Sequence, residues 1–212
     1  FSINAHMWTT AIPIRDFGTE EQKQRYLPRL CSGELVGGNA MSEPGSGSDA
    51  YSLKTTAERK GDKYVLNGNK IFVSNGSVGD LMLVYATVDP SKGPRGVSGF
   101  LVERDTPGYH ITRTVDKMGV RTSPRGELFF ENCEIPVENR LGREGNGKNL
   151  FTHSMTWERS CILASAVGSM QRLLDTSIAY ARERRQFDQQ IGKFQLVASR
   201  IVDMKMRLEE AR

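Results

Sequence analysis

The richest cluster of chemistry-bearing residues in this sequence is the run Ser42–Asp49, SEPGSGSD. Its glycines and hydroxyl side chains predict a tight loop with many free N–H and O–H donors, and such loops form concave anion sites. Gly45, Gly47 and Ala50 also match a loose dinucleotide fingerprint, but that fingerprint requires a helix after the loop. An alternating hairpin sequence follows instead. We therefore predict a polar binding loop without a Rossmann helix, with a plain surface turn as the alternative.

The histidines and cysteines of the chain predict neither a metal site nor a disulfide framework. The three histidines share no i, i+4 spacing. The three cysteines are odd in number and far apart, which fits neither zinc spacing nor paired bridges. Unpaired cysteines are typical of reducing compartments. We therefore expect no metal, and a location in the cytoplasm or the mitochondrial matrix.

Charge and hydropathy argue against two classes of partner. The formal net charge is +4, with lysines and arginines spread among nearly as many acids. Because no basic tract with interleaved aromatic residues is present, we expect no nucleic-acid partner. The most apolar stretch, Leu81–Val88, has only the length of a strand. A membrane-spanning helix needs about 18 or more apolar residues, so we expect no membrane span.

Three zones of different hydrophobic period predict the domain organisation. Residues 1–34 have a helical pattern, and Thr19–Gln22 matches a capping box at a helix start. Residues 35–138 hold most of the glycines and prolines between short β-branched and aromatic runs. Residues 139–212 return to the helical period. We predict an α+β fold with an antiparallel β-barrel or sandwich in the middle, flanked by incomplete helical domains.

Turn dipeptides and apolar spacing predict the elements inside these zones. Gly61-Asp62 and Asn67-Gly68 are interpreted as hairpin turns, and Asn-Gly is the strongest such signal. In the last zone, apolar residues at steps of three and four predict two long antiparallel helices, broken around Phe187–Gly192. The predicted strands are Thr55–Lys60, Lys63–Leu66, Lys70–Ser74, Leu81–Val88, Gly99–Glu103, His110–Val115 and Glu127–Cys133.

Both ends of the sequence suggest a piece of a longer protein. The chain has no initiator methionine, and Glu209–Arg212 contains no helix stop signal. The apolar stripes of the last two predicted helices also need partners to cover them. We expect further helices outside these residues.

Short signature segments follow one another along the chain. The main ones are Met41–Asp49 and Lys70–Gly76, and the others are Asp116–Gly119, Phe129–Pro136, Gly142–Gly147, Arg182–Phe187 and Phe194-Gln195. In this order they resemble the signatures of the acyl-CoA dehydrogenases. Met41–Asp49 is similar to the middle-domain signature of that family, and Lys70–Gly76 resembles its second flavin strand. The resemblance covers nearly the whole chain.

The resemblance implies an FAD cofactor. In the family pattern, Asn39–Ser48 would line the isoalloxazine side, with Ser42 donating its hydroxyl towards the ring. Donors near a reduced flavin stabilise its negative charge and favour reduction. Phe72, Val73 and Ser74 would cover the ring from the second strand. The residues assigned to FAD in the first segment are Asn39, Ala40, Met41, Ser42, Gly47 and Ser48.

Two residues of the last zone match family positions that reach the FAD of a neighbouring subunit. These are Arg184 and Gln195, and an arginine suits a pyrophosphate through forked, charge-assisted hydrogen bonds. The loop departs from the family pattern at Asp188, where a glycine is usual. A carboxylate near a pyrophosphate is repulsive unless it points away or pairs with Arg185.

The family reaction requires a general base that removes the proton α to a thioester while the β hydrogen passes to the flavin as hydride. Most members take this base from a segment beyond residue 212, but a minority place it where Glu158 stands. The alternative role for Glu158 is a carboxylate at a helix start, stabilised by the macrodipole. The resemblance also assigns Ser48, Thr156, Trp157 and Arg159 to the substrate.

Three functions remain open from the sequence. The first is FAD-dependent dehydrogenation of an acyl-CoA at the α,β bond, in a homotetramer that passes electrons to an electron-transferring flavoprotein. The second is the same chemistry on an acyl or aminoacyl group borne by a carrier protein. The third is a noncatalytic relative that keeps the fold for binding or assembly. We expect residues 1–212 alone to be inactive.

Overall fold

The computed structural model describes all of residues 1–212. The chain divides into two compact units, Phe1–Glu158 and Arg159–Arg212. The first unit holds the N-terminal helices, the large sheet and most of one later helix. The second holds a helical hairpin. The borders predicted from sequence, at residues 34/35 and 138/139, remain predictions.

Short helices open the first unit: α1 Ser2–His6, a π-helical turn Met7–Ala11, α2 Ile12–Phe17 and α3 Glu20–Ser32. The predicted capping box is confirmed, because the Gln22 backbone N–H donates to the Thr19 hydroxyl and the Thr19 N–H donates to the Gln22 side chain. The helix runs through Pro28 and ends at Gly33, whose φ of 78° is the left-handed conformation that glycine favours at this position.

The middle of the chain forms one sheet of eight strands. The strands are β1 Gly37–Ala40, β2 Thr56–Lys60, β3 Lys63–Ser74, β4 Leu81–Thr87, β5 Val97–Glu103, β6 Tyr109–Val115, β7 Arg125–Pro136 and β8 Arg140–Leu141. Their order is β6-β7-β3-β2-β4-β5-β8, with β1 beside β4. Short 3₁₀ turns lie at Pro90–Gly96 and Val137–Asn139.

The sheet is open, so the barrel alternative of the sequence-based prediction is wrong. β6 and β8 end the strand order and do not pair with each other. Most pairs are antiparallel, as predicted, but β1 runs parallel to β4, and one residue pair of β2 with β4 is also parallel. β1 follows a helix rather than a hairpin, so no tight turn forces it to run antiparallel to its neighbour.

The predicted hairpin turn at Asn67-Gly68 is also wrong. β3 continues through these residues and pairs with β7 on both sides of them, with a register shift between Leu66 and Gly68. Gly68 has a φ of 147°, and a Cβ there would lie 2.6 Å from the Cα of Thr55. The glycine therefore serves a bulge and a close backbone approach. The turn at Gly61-Asp62 is confirmed by the pairing of Lys60 with Lys63.

Apolar side chains cover both faces of the sheet. All seven residues of β4 are buried, which explains why its sequence is a continuous rather than an alternating apolar run. Met82 and Val84 join a cluster with Tyr64 and Phe100 on one face. The alternate residues of β4 join the other cluster, whose members include Ile14, Tyr26, Leu30 and Leu150. This second cluster anchors the helices against the sheet.

Helix α4 spans Gly147–Cys161 and lies mostly in the first unit. The second unit contains α5 Ala164–Glu183, the two-residue strands β9 Arg185–Gln186 and β10 Gln189–Gln190, a 3₁₀ turn Ile191–Lys193 and α6 Gln195–Ala211. Arg212, after the end of α6, donates to the Gln171 side chain near the start of α5 at 2.6 Å. The two helices are therefore antiparallel, as predicted. None of the helices is both long and apolar enough to span a membrane.

Candidate functional site

A cleft of about 140 Å³ in the first unit gathers five of the eleven residues predicted to bind flavin. Four elements form its walls: the N-terminal helical segment, β1 with the loop after it, the end of β3, and α4. Its lining residues are Ala5, Thr9, Asn39, Met41, Ser42, Ile71, Phe72, Ser74, Phe151, Met155 and Glu158. The predicted base and five of the predicted flavin contacts thus share one cavity.

The loop wall of the cleft is held to β3 by hydrogen bonds to its backbone carbonyls. The Ile71 N–H donates to the Ser42 carbonyl at 2.9 Å. The Lys70 ammonium donates to the Met41 carbonyl at 3.1 Å. A tight turn follows, in which Glu43 and Ser46 exchange backbone hydrogen bonds. These contacts fix the position of the half-buried Ser42 beside the cleft.

A buried ion pair lies directly behind this wall. The Lys70 ammonium is 2.8 Å from the Glu43 carboxylate, whose oxygens also accept the backbone N–H groups of Lys54 and Thr55. Burial alone would raise the pKa of Glu43, but the Lys70 charge and the donors outweigh it and hold that pKa below its usual value. Burial lowers the pKa of Lys70 to about 8, against the opposing effect of Glu43. This pair was not predicted from the sequence, although a lysine beside the apolar run Ile71–Val73 was an available signal.

The strand wall of the cleft contains a second bulge. The register of β3 against β7 shifts between Lys70 and Val73, and Phe72 has a φ of 54°. The bulge directs the Phe72 ring to the surface, where it is 55% exposed. A positive φ costs a non-glycine residue about 1–2 kcal/mol, and such strain is found at functional sites. Val73 is buried in the core instead.

Asn39 contributes an unsatisfied polar atom to the cleft. Its side-chain oxygen is buried and has no hydrogen-bond partner within the chain. Buried polar atoms without partners are rare, and each calls for an explanation such as a ligand. A half-exposed aromatic ring, the hydroxyls of Ser42 and Ser74 and this amide all line the cleft. Together they fit a flat aromatic group with a polar edge, such as a flavin.

Glu158 lies in the last turn of α4, four residues before Ile162-Leu163, where the helix is interrupted. The alternative role proposed from sequence, a carboxylate at a helix start, is therefore wrong. The C-terminal end of a helix carries partial negative charge and disfavours a carboxylate. The side chain lines the cleft together with Met155, one turn earlier on the same helix, and Phe151, two turns earlier. The helix dipole thus gives no reason for a carboxylate here.

Other predicted site residues lie outside the cleft lining. Ala40 is fully buried in the core, whereas Gly47 and Ser48 lie in an exposed part of the loop. Thr156 is exposed, and its hydroxyl donates to the Thr152 carbonyl at 3.0 Å. Their roles, including any through backbone atoms, remain predictions.

Trp157 is positioned by the N-terminal helices. Its ring stacks on Trp8 at 5.7 Å with planes 4° apart, and the Arg15 guanidinium lies 5.9 Å from its centroid. Trp157 does not line the cleft. The stack holds α4 in place one residue before Glu158. The sequence pattern did not predict this contact between the two tryptophans. The substrate contact assigned to Trp157 remains a prediction.

In the second unit, Arg159 is exposed and begins the unit. Arg184 and Gln195 are exposed on either side of the β9–β10 hairpin. Both turn residues of this hairpin have positive φ, 52° at Phe187 and 63° at Asp188, as in a type I′ turn.

The structure contains no group of three or more His, Cys, Asp or Glu side chains that could hold a metal.

The hairpin forms although Asp188 replaces the usual glycine. Aspartate is one of the few residues that adopt the left-handed conformation at modest cost. The Arg185 guanidinium donates to the backbone oxygen of Asp188 at 2.7 Å. The arginine therefore stabilises the turn through the main chain of Asp188.

Comparison with known families identifies the chain. Residues 1–34, 38–133 and 145–212 match, in order, the N-terminal, middle and C-terminal domains of acyl-CoA dehydrogenase. The chain belongs to the acyl-CoA dehydrogenase family. It is 46% identical to an L-prolyl-[peptidyl-carrier protein] dehydrogenase of Pseudomonas fluorescens, over 100% of this chain and 56% of that protein. It is 43% identical to the mitochondrial isovaleryl-CoA dehydrogenase of Pongo abelii, over 92% of this chain and 47% of that protein.

Solved structures of family members have the same fold. The prolyl acyl carrier protein oxidase AnaB is 55% identical, with a TM-score of 0.88 over 98% of this chain and 55% of that one. PigA, solved with FAD and proline, is 42% identical, with a TM-score of 0.87 over 99% of this chain and 55% of that one. The chain thus spans about half the length of the acyl-CoA dehydrogenase relatives it matches.

Proposed function

We propose that the whole protein is an FAD-dependent oxidoreductase that dehydrogenates a thioester-bound acyl or aminoacyl group at its α,β bond. The observation that carries this proposal is the cleft, where the Glu158 carboxylate lines the same cavity as Ser42, Phe72 and Asn39. A candidate base and side chains that fit a flavin in one cavity are the two components that the reaction needs. Membership of the acyl-CoA dehydrogenase family supports the same conclusion.

The residues present fit FAD as the cofactor. Phe72 offers its half-exposed ring as an apolar face for the isoalloxazine, and Ser42 and Ser74 offer hydroxyl donors to the ring edge. The unpaired oxygen of Asn39 can accept from the single ring N–H of an oxidised flavin. When bound, FAD supplies an acceptor for the hydride. The PigA structure, which holds FAD, supports this cofactor.

In this mechanism Glu158 acts as the general base. Its carboxylate oxygen accepts the proton from the carbon α to the thioester carbonyl. Phe151 and Met155 line the cleft on the same helix. A carboxylate positioned beside the reacting carbon is a common general base in enzymes. Ser42 holds a hydroxyl at the cleft edge because its own carbonyl is fixed by the Ile71 N–H.

Among thioester substrates, an aminoacyl group on a carrier protein has the stronger support. The 55% identity to a prolyl acyl carrier protein oxidase exceeds the 43% identity to isovaleryl-CoA dehydrogenase. An acyl-CoA is the second candidate. An anaerobic mixing experiment distinguishes the two substrate classes. The full-length protein is mixed with prolyl-carrier protein or with isovaleryl-CoA, and the bleaching of the flavin absorbance is recorded. If only isovaleryl-CoA bleaches the flavin, an acyl-CoA becomes the better-supported substrate.

The assembly and electron partner belong to the same proposal. We expect a homotetramer in which Arg184 and Gln195 reach the FAD of a neighbouring subunit, and reoxidation by an electron-transferring flavoprotein. The 42% identity to a chain in an Acidaminococcus fermentans electron-transferring flavoprotein study is compatible with that acceptor. The compartment, cytoplasm or mitochondrial matrix, also remains a prediction, because the relatives include both bacterial and mitochondrial proteins.

The decisive experiment replaces the base. In the full-length protein, Glu158→Gln should retain FAD and bind the thioester but slow flavin reduction by about 10²-fold or more, because the amide cannot accept the α proton. Stopped-flow absorbance under anaerobic conditions measures this rate. Glu131→Gln, on the exposed face of β7, is the matched control and should reduce its flavin at the wild-type rate.

Two outcomes would contradict parts of the proposal. If Glu158→Gln reduces its flavin at near the wild-type rate, the base lies in the segment beyond residue 212. If the wild-type flavoprotein is not reduced by any acyl or aminoacyl thioester, the noncatalytic binding role replaces the enzymatic one.

A further inference from the structure

The chain places one ion pair in its interior, although burying charges is costly. The Lys70 side chain is fully buried and that of Glu43 is 4% exposed, with 2.8 Å between the ammonium and the carboxylate. The other ion pairs lie at the surface; in the pair of Lys63 with Glu134, for example, the side chains are 41% and 55% exposed. Neither Lys70 nor Glu43 lines the cleft. Contact with a group bound in the cleft therefore does not explain their burial.

The pair connects three backbone segments. Lys70 also donates to the Met41 carbonyl at 3.1 Å. Glu43 also accepts the backbone N–H groups of Lys54 and Thr55, at 2.7 and 3.0 Å. Each charge is thus paired and hydrogen-bonded, which is the condition for a buried ion pair to persist. The loop after β1, the segment before β2 and the strand β3 meet at this point.

The geometry places the pair at the junction of the two cleft walls. Met41 and Glu43, which both bond to Lys70, are the residues on either side of Ser42. Lys70 itself precedes the bulge at Phe72, whose ring lines the cleft. The Ile71 N–H adds a bond to the Ser42 carbonyl. The pair therefore sets the distance and angle between the Ser42 wall and the Phe72 wall.

We propose that Lys70 and Glu43 are positioning residues for the flavin: their buried ion pair holds Ser42 and Phe72 in the relative orientation that receives the isoalloxazine ring. They act through Met41, Ser42 and the β3 bulge, without touching the cofactor. This inference rests on the proposed FAD-binding function. It predicts that neutralising the pair weakens flavin binding even where the fold keeps its stability.

The test uses the full-length protein with its FAD removed and three variants. Lys70→Met leaves the Glu43 charge buried and unpaired, so it should lower the melting temperature strongly. Lys70→Met combined with Glu43→Gln removes both charges and should recover most of that loss. The double variant should nevertheless bind FAD at least 10-fold more weakly, by fluorescence titration. Its bound flavin should also show a visible spectrum closer to that of free FAD.

Glu43→Gln alone is the milder variant, because Lys70 can lose its proton, and it keeps the test valid if the double variant does not fold. It should also weaken FAD binding. The matched control is Lys63→Met with Glu134→Gln, which removes an exposed ion pair between β3 and β7. The control should bind FAD with wild-type affinity and spectrum.

The outcomes separate this inference from the proposed function. Wild-type FAD affinity and spectrum in the double variant, or in Glu43→Gln if the double variant is unfolded, would overturn the positioning role. A wild-type protein that binds no FAD would overturn the proposed function itself, and the positioning role with it.

Discussion

The backbone of Phe72 leads to a prediction about the order of two variants. With a φ of 54°, any residue other than glycine is strained there by about 1–2 kcal/mol. Glycine usually destabilises a strand relative to alanine by about 0.5–1 kcal/mol. At Phe72 the strain outweighs that cost. Phe72→Gly should therefore be more stable than Phe72→Ala by about 0.5–1 kcal/mol, the reverse of the usual order.

The same two variants should lose FAD affinity equally. The Phe72 ring is 55% exposed, and full burial of a phenylalanine side chain contributes about 1.5–3 kcal/mol. If the flavin covers the exposed part of the ring, this contact contributes about 1–1.5 kcal/mol to the free energy of FAD binding. That energy is roughly a 5- to 15-fold change in affinity. Both variants lack the ring, so both should bind FAD more weakly by this factor.

Thermal denaturation of the FAD-free full-length protein measures the first effect, and fluorescence titration with FAD measures the second. Val120 is the matched control position, because it also has a positive φ, 52°, but lies outside the cleft. Val120→Gly should likewise be more stable than Val120→Ala, with unchanged FAD affinity. A Phe72→Ala protein more stable than Phe72→Gly would refute the strained bulge. Unchanged FAD affinity in both Phe72 variants would refute the contact with the ring.

Two further changes test individual flavin contacts in the full-length protein. Ser42→Ala should lower the flavin reduction potential by about 20 mV. The variant loses one neutral hydrogen bond of about 1 kcal/mol, which corresponds to that shift in a two-electron couple. An unchanged potential with normal FAD binding would remove Ser42 from the site. Arg184→Ala should reduce FAD retention and weaken the oligomer together, measured by flavin content and light scattering, because we propose that Arg184 binds the FAD of a neighbouring subunit. Normal retention in an intact oligomer would contradict that role.

Two predictions that depend on neighbouring residues were correct. The capping box of Thr19 and Gln22 and the turn at Gly61-Asp62 are stabilised by hydrogen bonds between residues three apart in sequence. The signature Met41–Asp49 also contains enough local information to indicate the family. Its residues Met41 and Ser42 do line the cleft.

Predictions about long-range pairing failed in specific places. Asn67-Gly68 was interpreted as a turn because the dipeptide favours one, yet β7 pairs with β3 on both sides of it. The sheet is open because its edge strands do not meet, and no local pattern encodes that. The buried partner of Lys70 is Glu43, 27 residues earlier in the chain. Which residue pairs with Lys70 depends on where the loop after β1 meets β3.

For this protein, sequence alone determined the helix caps, the flavin-loop signature and the family, since these depend on residue types at short, fixed spacings. Tertiary structure alone decided the β3 bulges, the buried Lys70–Glu43 pair and the approach of Glu158 to Ser42 and Phe72. The physical reason is that sheet register and helix docking depend on the burial of apolar side chains from distant segments. Those segments meet only in the folded chain, and their meeting creates the cleft.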